Sequence, residues 1–158
     1  DICRQVGQEF PQVRVDDVIV DAMMAHVVRA PDRYDVVVTT NMFGDILSDL
    51  TAELSGSLGL GGSLNAGRDH AMGQAAHGSA PDIAGQDIAN PASQLLSAAM
   101  LLNWYGQRKG GRNFLEAAAA IEQAIAAAIE SGQCTRDVGG SLGTRAAGQA
   151  VVDRLRAA

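Results

Sequence analysis

The N-terminal part of the chain alternates between helix-like and strand-like patterns of apolar positions. Residues 2–9 have the pattern of the last turns of a helix, which ends near Pro11. The valines that recur between positions 13 and 20 indicate a strand. Residues 22–30 are amphipathic and predict a helix that continues to Pro31.

A second strand and helix are predicted directly afterwards. Residues 35–39 form a short β-branched run, which is typical of a strand buried on both faces. Asn41 is a suitable helix cap, and residues 43–54 carry apolar side chains at helical spacing. Strands that alternate with helices over about 55 residues indicate an α/β fold.

The rest of the chain begins with a glycine-rich stretch and then becomes helical. Residues 56–90 hold many of the 18 glycines, which let a ligand approach the backbone, so we expect a loop-rich, site-building segment. Three further helices are predicted at residues 92–105, 113–130 and 144–156, and Pro91 suits the first turn of the first of them.

The charge and cysteine content argue against several functional classes. The 158 residues include 12 basic and 18 acidic side chains, and the only lysine is Lys109. Nucleic-acid binding needs clustered Lys and Arg, which this chain lacks. Cys3 and Cys134 are too few for a disulfide scaffold and fit a cytoplasmic location, and no apolar run is long enough to predict a membrane span. Because the sequence starts at Asp1 without an initiator Met, we expect it to be a piece of a longer polypeptide.

Three aspartates are candidate ligands for a divalent cation. Asp45 and Asp49 are four residues apart on one face of the predicted helix, where their like charges repel mildly unless a cation lies between them. Mg²⁺ or Mn²⁺ prefers such oxygen ligands. Alternatively, one aspartate favours the helix N-terminus and the other is solvated. Asp21 follows the first predicted strand, at a strand end where ligands bind in α/β sheets, and an N-cap role is also compatible with that position.

The segment HGSAPDIAGQDIANP, residues 77–91, is a candidate nucleotide site. His77 and Asp82 are its polar side chains best placed to bind a ligand. A carboxylate such as Asp82 accepts hydrogen bonds from two ribose hydroxyls and repels a 2′-phosphate. The alternative is a rigid surface loop with a capping aspartate. No Gly-x-Gly-x-x-Gly follows a strand, so the chain does not carry the Rossmann fingerprint.

These motifs resemble those of the β-decarboxylating dehydrogenases, the isocitrate/isopropylmalate dehydrogenase family. The likeness rests on VDAMMAH, DVVVTTNMFGDILSDL, GSLGL, HGSAPDIAGQDIANP, LSAAMLL and TRDVGGSLGT, in that order over essentially the whole chain. His77 follows Asp49 by 28 residues, and this pair of motifs is highly specific. The chain looks most like the 3-isopropylmalate dehydrogenase branch, and the tartrate/D-malate, isocitrate and homoisocitrate dehydrogenases are the alternatives.

The resemblance implies a two-domain α/β fold of which this chain is only the C-terminal portion. Residues 1–55 would be part of the central, dimer-forming domain, and residues 56–158 would be the C-terminal part of the outer, NAD-binding domain. Members of the family oxidise a 2-hydroxy acid with NAD(P)⁺ and then release its β-carboxylate as CO₂. They need Mg²⁺ or Mn²⁺ as a Lewis acid.

The resemblance also assigns the site residues. Asp21, Asp45 and Asp49 would bind the metal, with Asp21 donated across the interface of a homodimer. Asp82 and Ile83 match the NAD-type pattern, whereas NADP-type relatives tend to have Lys-Tyr at these positions. The residues that would surround the adenosine of NAD are His77, Gly78, Ser79, Ala80, Asp82, Ile83 and Asn90.

Other residues that the family uses have no match in this chain. Its catalytic Lys and Tyr and its substrate-binding arginines precede the segment that begins at Asp1. Lys109, Tyr34 and Tyr105 match none of these positions, and Gln74–Ala76 replaces the usual Glu-Pro-Val. We therefore expect the chain alone to be inactive, with no catalytic residue of its own.

Two other functional classes compete with the dehydrogenase. A non-catalytic binding module that pairs with a full-length relative would explain the missing catalytic residues. A Mg²⁺-dependent phosphoryl-transfer enzyme is disfavoured because no glycine-rich stretch ends in the GK[ST] of a P-loop. For the dehydrogenase fragment we expect exposed strand edges and apolar faces, and therefore oligomerisation or a place in a larger assembly.

Overall fold

The structure is a computed structural model that describes residues 1–157, and contacts divide it into two compact units. The first unit comprises Asp1–Gly44 and the second begins at Asp45, so the division falls within one helix. The predicted domain boundary after residue 55 stays a prediction. The elements are α1 (Ile2–Gly7), α2 (Val20–Arg29), α3 (Asn41–Leu54), β1 (Gly62–Ala66), β2 (Ala71–Ala75), α4 (Ala92–Lys109), α5 (Arg112–Glu130) and α6 (Thr144–Ala157).

The first unit contains the two helices that the sequence predicts there. Helix α1 ends at Gly7, and α2 places Met23 and Val27 on its buried face. Nδ1 of His26 lies 2.7 Å from the hydroxyl oxygen of Tyr34. This hydrogen bond holds α2 against the turn that follows it.

The strands predicted at residues 13–20 and 35–39 are not formed, and that prediction was wrong for the described residues. A strand needs a neighbour that pairs with its backbone groups, and the sheet of residues 1–157 consists of β1 and β2 only. Val36 and Val38 are 81% and 75% exposed. The β-branched residues are present, but no strand among residues 1–157 pairs with them.

A β-hairpin occupies part of the stretch that the sequence predicts as loop. Strands β1 and β2 pair antiparallel, with Gly62 opposite Ala75 and Ala66 opposite Ala71. Glycine is depleted in strands. Its presence in both strands obscured the alternation of apolar and polar residues that would have predicted the hairpin. The loop prediction was therefore wrong for these two strands.

Buried serines attach the hairpin to α4. Ser93 and Ser97 are fully buried. The hydroxyl oxygen of Ser97 accepts a hydrogen bond from the Ser63 amide at 3.1 Å and lies 2.6 Å from the carbonyl oxygen of Gln74. The hydroxyl oxygen of Ser93 accepts one from the Ala76 amide at 3.2 Å. These side chains satisfy backbone groups that a neighbouring strand would otherwise bond.

The core of the second unit lies between its long helices. Helix α4 packs against the hairpin and α5, and α5 also packs against α6. Helices α4 and α5 form where predicted, and α4 extends four residues beyond the predicted end. The buried cluster consists of Ala92, Ala124, Ile125, Ala128 and Val151.

Among residues 1–157, no helix is both long and apolar enough to cross a membrane.

Close packing of the hairpin on α4 makes Gly73 a sensitive position. A Cβ at Gly73 would lie 2.6 Å from the carbonyl oxygen of Ser97, whereas one at Gly148 of α6 would meet nothing within 4 Å. We expect Gly73→Ala to lower the free energy of unfolding by about 2 kcal/mol, because the hairpin must move off the helix. Gly148→Ala should be neutral or stabilising. Urea unfolding of the two variants checks this, and equal midpoints would contradict it.

Candidate functional site

A cleft of about 770 Å³ lies in the second unit. It is lined by most of residues 77–90, by residues 58–59, and by residues 136–137 and 144–145. Its volume is within the range of roughly 300–1,000 Å³ that small-molecule and cofactor sites occupy. The predicted nucleotide segment therefore borders a cavity of suitable size.

The residues predicted to surround a nucleotide gather around this cleft, with one exception. His77, Gly78, Ser79 and Ala80 line it, together with Ile83 and Asn90. Asp82 does not belong to the lining. It is exposed in a short 3₁₀ turn, Pro81–Ile83.

The backbone of the cleft wall is open to a ligand. Ala80 adopts a left-handed conformation with φ of 41°, after which Pro81 begins the 3₁₀ turn. A Cβ at Gly78 would meet no atom within 4 Å, so this stretch of backbone is accessible. Nδ1 of His77 lies 2.9 Å from the carbonyl oxygen of Gly78. Because a carbonyl only accepts, Nδ1 is the donor in this bond, and Nε2 is left for contact with a ligand.

Asn90 connects the cleft to the start of α4. Its Oδ1 accepts a hydrogen bond from the Ala92 amide at 2.9 Å, which satisfies one of the free donors at the helix N-terminus. Its Nδ2 donates to Oδ2 of Asp137 at 2.8 Å. Both ends of the carboxamide are therefore bonded within the protein.

Asp137 is the acidic group that the cleft wall holds most firmly. Partial burial raises the pKa of its carboxyl, but hydrogen bonds from Ser57, Thr135 and Asn90 outweigh burial and bring the pKa below its ordinary value. The group is therefore ionised at neutral pH. Its contribution to stability is present above the usual aspartate range, about pH 3.9, and is lost as the pH falls through its own lower pKa.

A second aspartate, Asp87, holds the cleft loop against the start of α6. It has a φ of 56°, and its carbonyl oxygen accepts a hydrogen bond from the Thr144 amide at 2.9 Å. Its Oδ1 accepts another from the Arg145 amide at 3.1 Å. The hydroxyl of Thr144 donates to the carbonyl oxygen of Ala89 at 2.5 Å. These bonds fix the part of the wall that residues 87–90 and 144–145 form.

The predicted metal ligands lie on two helices of the chain. Asp45 and Asp49 are exposed on α3, one helical turn apart. Asp21 is exposed in the first turn of α2, where its Oδ1 accepts a hydrogen bond from the Ala22 amide at 2.7 Å. In the part of the chain that the structure describes, no three His, Cys, Asp or Glu side chains gather as a metal site. The donor chemistry of Asp45 and Asp49 fits a hard divalent cation, and a third carboxylate would have to come from elsewhere.

Comparison with known proteins identifies the family. A family model described as isocitrate/isopropylmalate dehydrogenase matches residues 1–154. The chain belongs to this family. Membership in the isocitrate/isopropylmalate dehydrogenase family confirms the resemblance that the motifs indicated.

Individual relatives agree with this assignment and give the extent of the match. An isocitrate/homoisocitrate dehydrogenase of Thermus thermophilus is 47% identical over 99% of this chain and 45% of the relative. A 3-isopropylmalate dehydrogenase of Archaeoglobus fulgidus is 44% identical over 91% of this chain and 42% of the relative. The crystal structure of isocitrate dehydrogenase from Methylococcus capsulatus matches with a TM-score of 0.88 and 44% identity, over 98% of this chain and 44% of that chain. The chain thus spans less than half of the length of these relatives, and the predicted fold class, a portion of this α/β fold, is confirmed.

Sequence reasoning did not identify several residues of the cleft. Asp87, Arg136 and Asp137 were not predicted as site residues, and neither were Thr144 and Arg145. The motif TRDVGGSLGT supported the family resemblance without pointing to a role for its aspartate. Only the fold brings Asp137 next to residues that are 47 and 80 positions away along the chain.

Proposed function

We propose that the full-length protein containing this chain catalyses the oxidative decarboxylation of a 2-hydroxy acid, with NAD⁺ and Mg²⁺ or Mn²⁺. The observation that supports this most directly is the cleft, because the family's nucleotide motif lines it. Bound NAD⁺ would supply the hydride acceptor. This chain would provide part of the cofactor site and most of the metal ligands.

In this proposal the cofactor is held mainly by the backbone and by small residues. Gly78, Ser79 and Ala80 present an open loop to the adenosine, and Ile83 offers an apolar surface. Nε2 of His77 would be available for a hydrogen bond with the nucleoside. Asp82, at the edge of this loop, would accept hydrogen bonds from the ribose hydroxyls.

The metal would be held by Asp45 and Asp49 of one copy and Asp21 of a second. The ion would supply Lewis acidity to the substrate hydroxyl and carboxylate. The carboxylates of this chain fix its position and balance its charge. The proposal therefore includes a homodimer. Helix α3 of one copy provides two of the three carboxylates, and the third comes from the second copy.

The preference for NAD over NADP can be tested at the edge of the cleft. We expect Asp82→Lys to weaken NAD⁺ binding by about tenfold, and Asp82→Lys with Ile83→Tyr to shift preference toward NADP⁺, since a cation at this position attracts a 2′-phosphate. Asp69→Lys, in the exposed hairpin turn, is the matched control for the charge change. Steady-state kinetics with both cofactors measure the shift. Unchanged NAD⁺ affinity in Asp82→Lys would remove Asp82 from the ribose.

The substrate that we propose first is 3-isopropylmalate, on the basis of the motif resemblance. A second candidate is isocitrate or homoisocitrate, because a relative with that name is 47% identical to the chain. Tartrate or D-malate is a further alternative. A substrate panel on the full-length protein with Mn²⁺ and NAD⁺ distinguishes them by the ratio of kcat/KM values. The apolar substituent of isopropylmalate and the charged one of isocitrate should give clearly different ratios.

The competing proposal is a non-catalytic module that retains the family fold. Such a module would not need the family's catalytic Lys and Tyr, whereas the enzyme would. A start codon close to the codon for Asp1 would favour the module. In-frame codons for a Lys and a Tyr upstream of Asp1 would favour the enzyme. Sequencing upstream of that codon therefore separates the two proposals.

A further inference from the structure

The carboxylate of Asp137 joins three separate segments of the cleft wall. Its Oδ2 accepts a hydrogen bond from the Ser57 hydroxyl at 2.6 Å and one from Nδ2 of Asn90 at 2.8 Å. Its Oδ1 accepts one from the Thr135 hydroxyl at 2.6 Å. Ser57 and Thr135 are buried, so their hydrogen bonds are partly shielded from water, whereas Asp137 and its bond to Asn90 are exposed. Hydrogen bonds to a charged acceptor are stronger than those between neutral groups.

The residues around this carboxylate are packed too tightly to move independently. The hydroxyl oxygen of Ser57 also accepts a hydrogen bond from the Gly59 amide at 3.0 Å. A Cβ at Gly59 would lie 2.7 Å from Cβ of Asn90 and 2.9 Å from Oδ2 of Asp137. Gly59, Asn90 and Asp137 all line the cleft. A change at the carboxylate therefore alters the shape of the wall itself.

The carboxamide of Asn90 takes part in this network at both ends. Its oxygen caps α4 through Ala92, and its nitrogen binds Asp137. These bonds use one of the two N–H donors of the amide and one of the two lone pairs of the oxygen. These two bonds fix the position of the Asn90 side chain at the cleft.

We propose that Asp137 is a positioning residue for the nucleotide, which holds Asn90 and the Ser57–Gly59 turn in place. This inference rests on the proposed function, because it assumes that the cleft binds a dinucleotide. Asp137 stays charged at neutral pH, since its hydrogen bonds lower its pKa. The network is therefore complete under the conditions in which the cofactor binds.

An exchange of the two side chains tests the proposal on the full-length protein. Asp137→Asn places an amide against the amide of Asn90, and Asn90→Asp places two carboxylates together. We expect each single variant to raise the Kd for NAD⁺ by about tenfold, while kcat at saturating cofactor and the affinity for Mn²⁺ stay near wild type. The double variant restores one donor facing one acceptor and still caps α4, so its Kd should return to within about threefold of wild type.

Calorimetric titration with NAD⁺ gives these constants, and Asp153→Asn is the matched control. Asp153 is an exposed aspartate on α6, whose Oδ1 accepts a hydrogen bond from Gln149, so it loses the same charge outside the cleft. Wild-type affinity in Asp137→Asn would overturn the inference. A double variant no tighter than the single variants would also overturn it, because the pairing of these two side chains would then not be what positions the nucleotide.

Two further outcomes keep the test decisive. If Asp137→Asn does not fold, Ser57→Ala removes one donor and leaves the carboxylate in place. We expect that variant to raise the Kd for NAD⁺ by about threefold, and an unchanged Kd would overturn the inference. If the wild-type protein binds neither NAD⁺ nor NADP⁺, the proposed function fails and the inference fails with it. That result is distinct from a binding wild type whose variants are unaltered, which overturns the inference alone.

Discussion

Asp45→Asn in the full-length protein is expected to lower turnover by about a thousandfold and to weaken Mn²⁺ binding in parallel. Asp45 lies on the exposed face of α3, one turn from Asp49. The substitution removes one negative charge and one oxygen ligand from a site whose chemistry depends on a Lewis acid, and several kcal/mol of transition-state stabilisation depend on that ion. Turnover at increasing Mn²⁺ concentrations, together with the Kd for Mn²⁺, measures both effects.

The control for this prediction is Asp32→Asn, which makes the same chemical change in the turn after α2. It should leave both turnover and Mn²⁺ affinity near wild type. If Asp45→Asn reached wild-type turnover at saturating Mg²⁺ or Mn²⁺, the assignment of Asp45 as a ligand would be wrong. Weaker metal binding with unchanged turnover would contradict the proposed coupling of the two.

Pairing of two inactive variants is expected to restore activity, because the metal site is proposed to combine two copies of the protein. Asp21→Ala and Asp45→Ala should each lose activity by more than about a hundredfold. In a heterodimer of the two, one site receives Asp45 and Asp49 from the first copy and Asp21 from the second. That site is intact, so heterodimers purified through two different affinity tags should show roughly half of the wild-type activity.

The matched control pairs Asp45→Ala with Asp49→Ala. These residues share one helix, so both sites of the heterodimer lack a ligand and activity should not return. Recovery in the control pair would mean that Asp45 and Asp49 do not both bind the metal. No recovery in the Asp21→Ala and Asp45→Ala pair would mean that Asp21 serves its own copy or is not a ligand.

The helices could be predicted because their signals are local. In α5 alanines and apolar residues recur at helical spacing, and α4 has a proline just before it and a glycine just after it. The predicted strands at 13–20 and 35–39 failed for the opposite reason. Their β-branched residues favour an extended backbone, but a strand forms only when the backbone of a second strand bonds to it.

The cleft was predictable in part. The segment from His77 to Ile83 could be found because its residue order is specific to the family. The residues that fix the shape of the cleft could not, because Asp137 becomes informative only when Ser57 and Asn90 are folded against it. The role of Asp82 stays a prediction, since the fold leaves its side chain exposed and outside the lining of the cleft.

Anomalous diffraction from crystals of the full-length protein soaked in Mn²⁺ tests the central claim most directly. The proposed function predicts one strong peak among the carboxylate oxygens of Asp45 and Asp49 of one copy and Asp21 of another. A peak elsewhere, with no density among these oxygens, would contradict it.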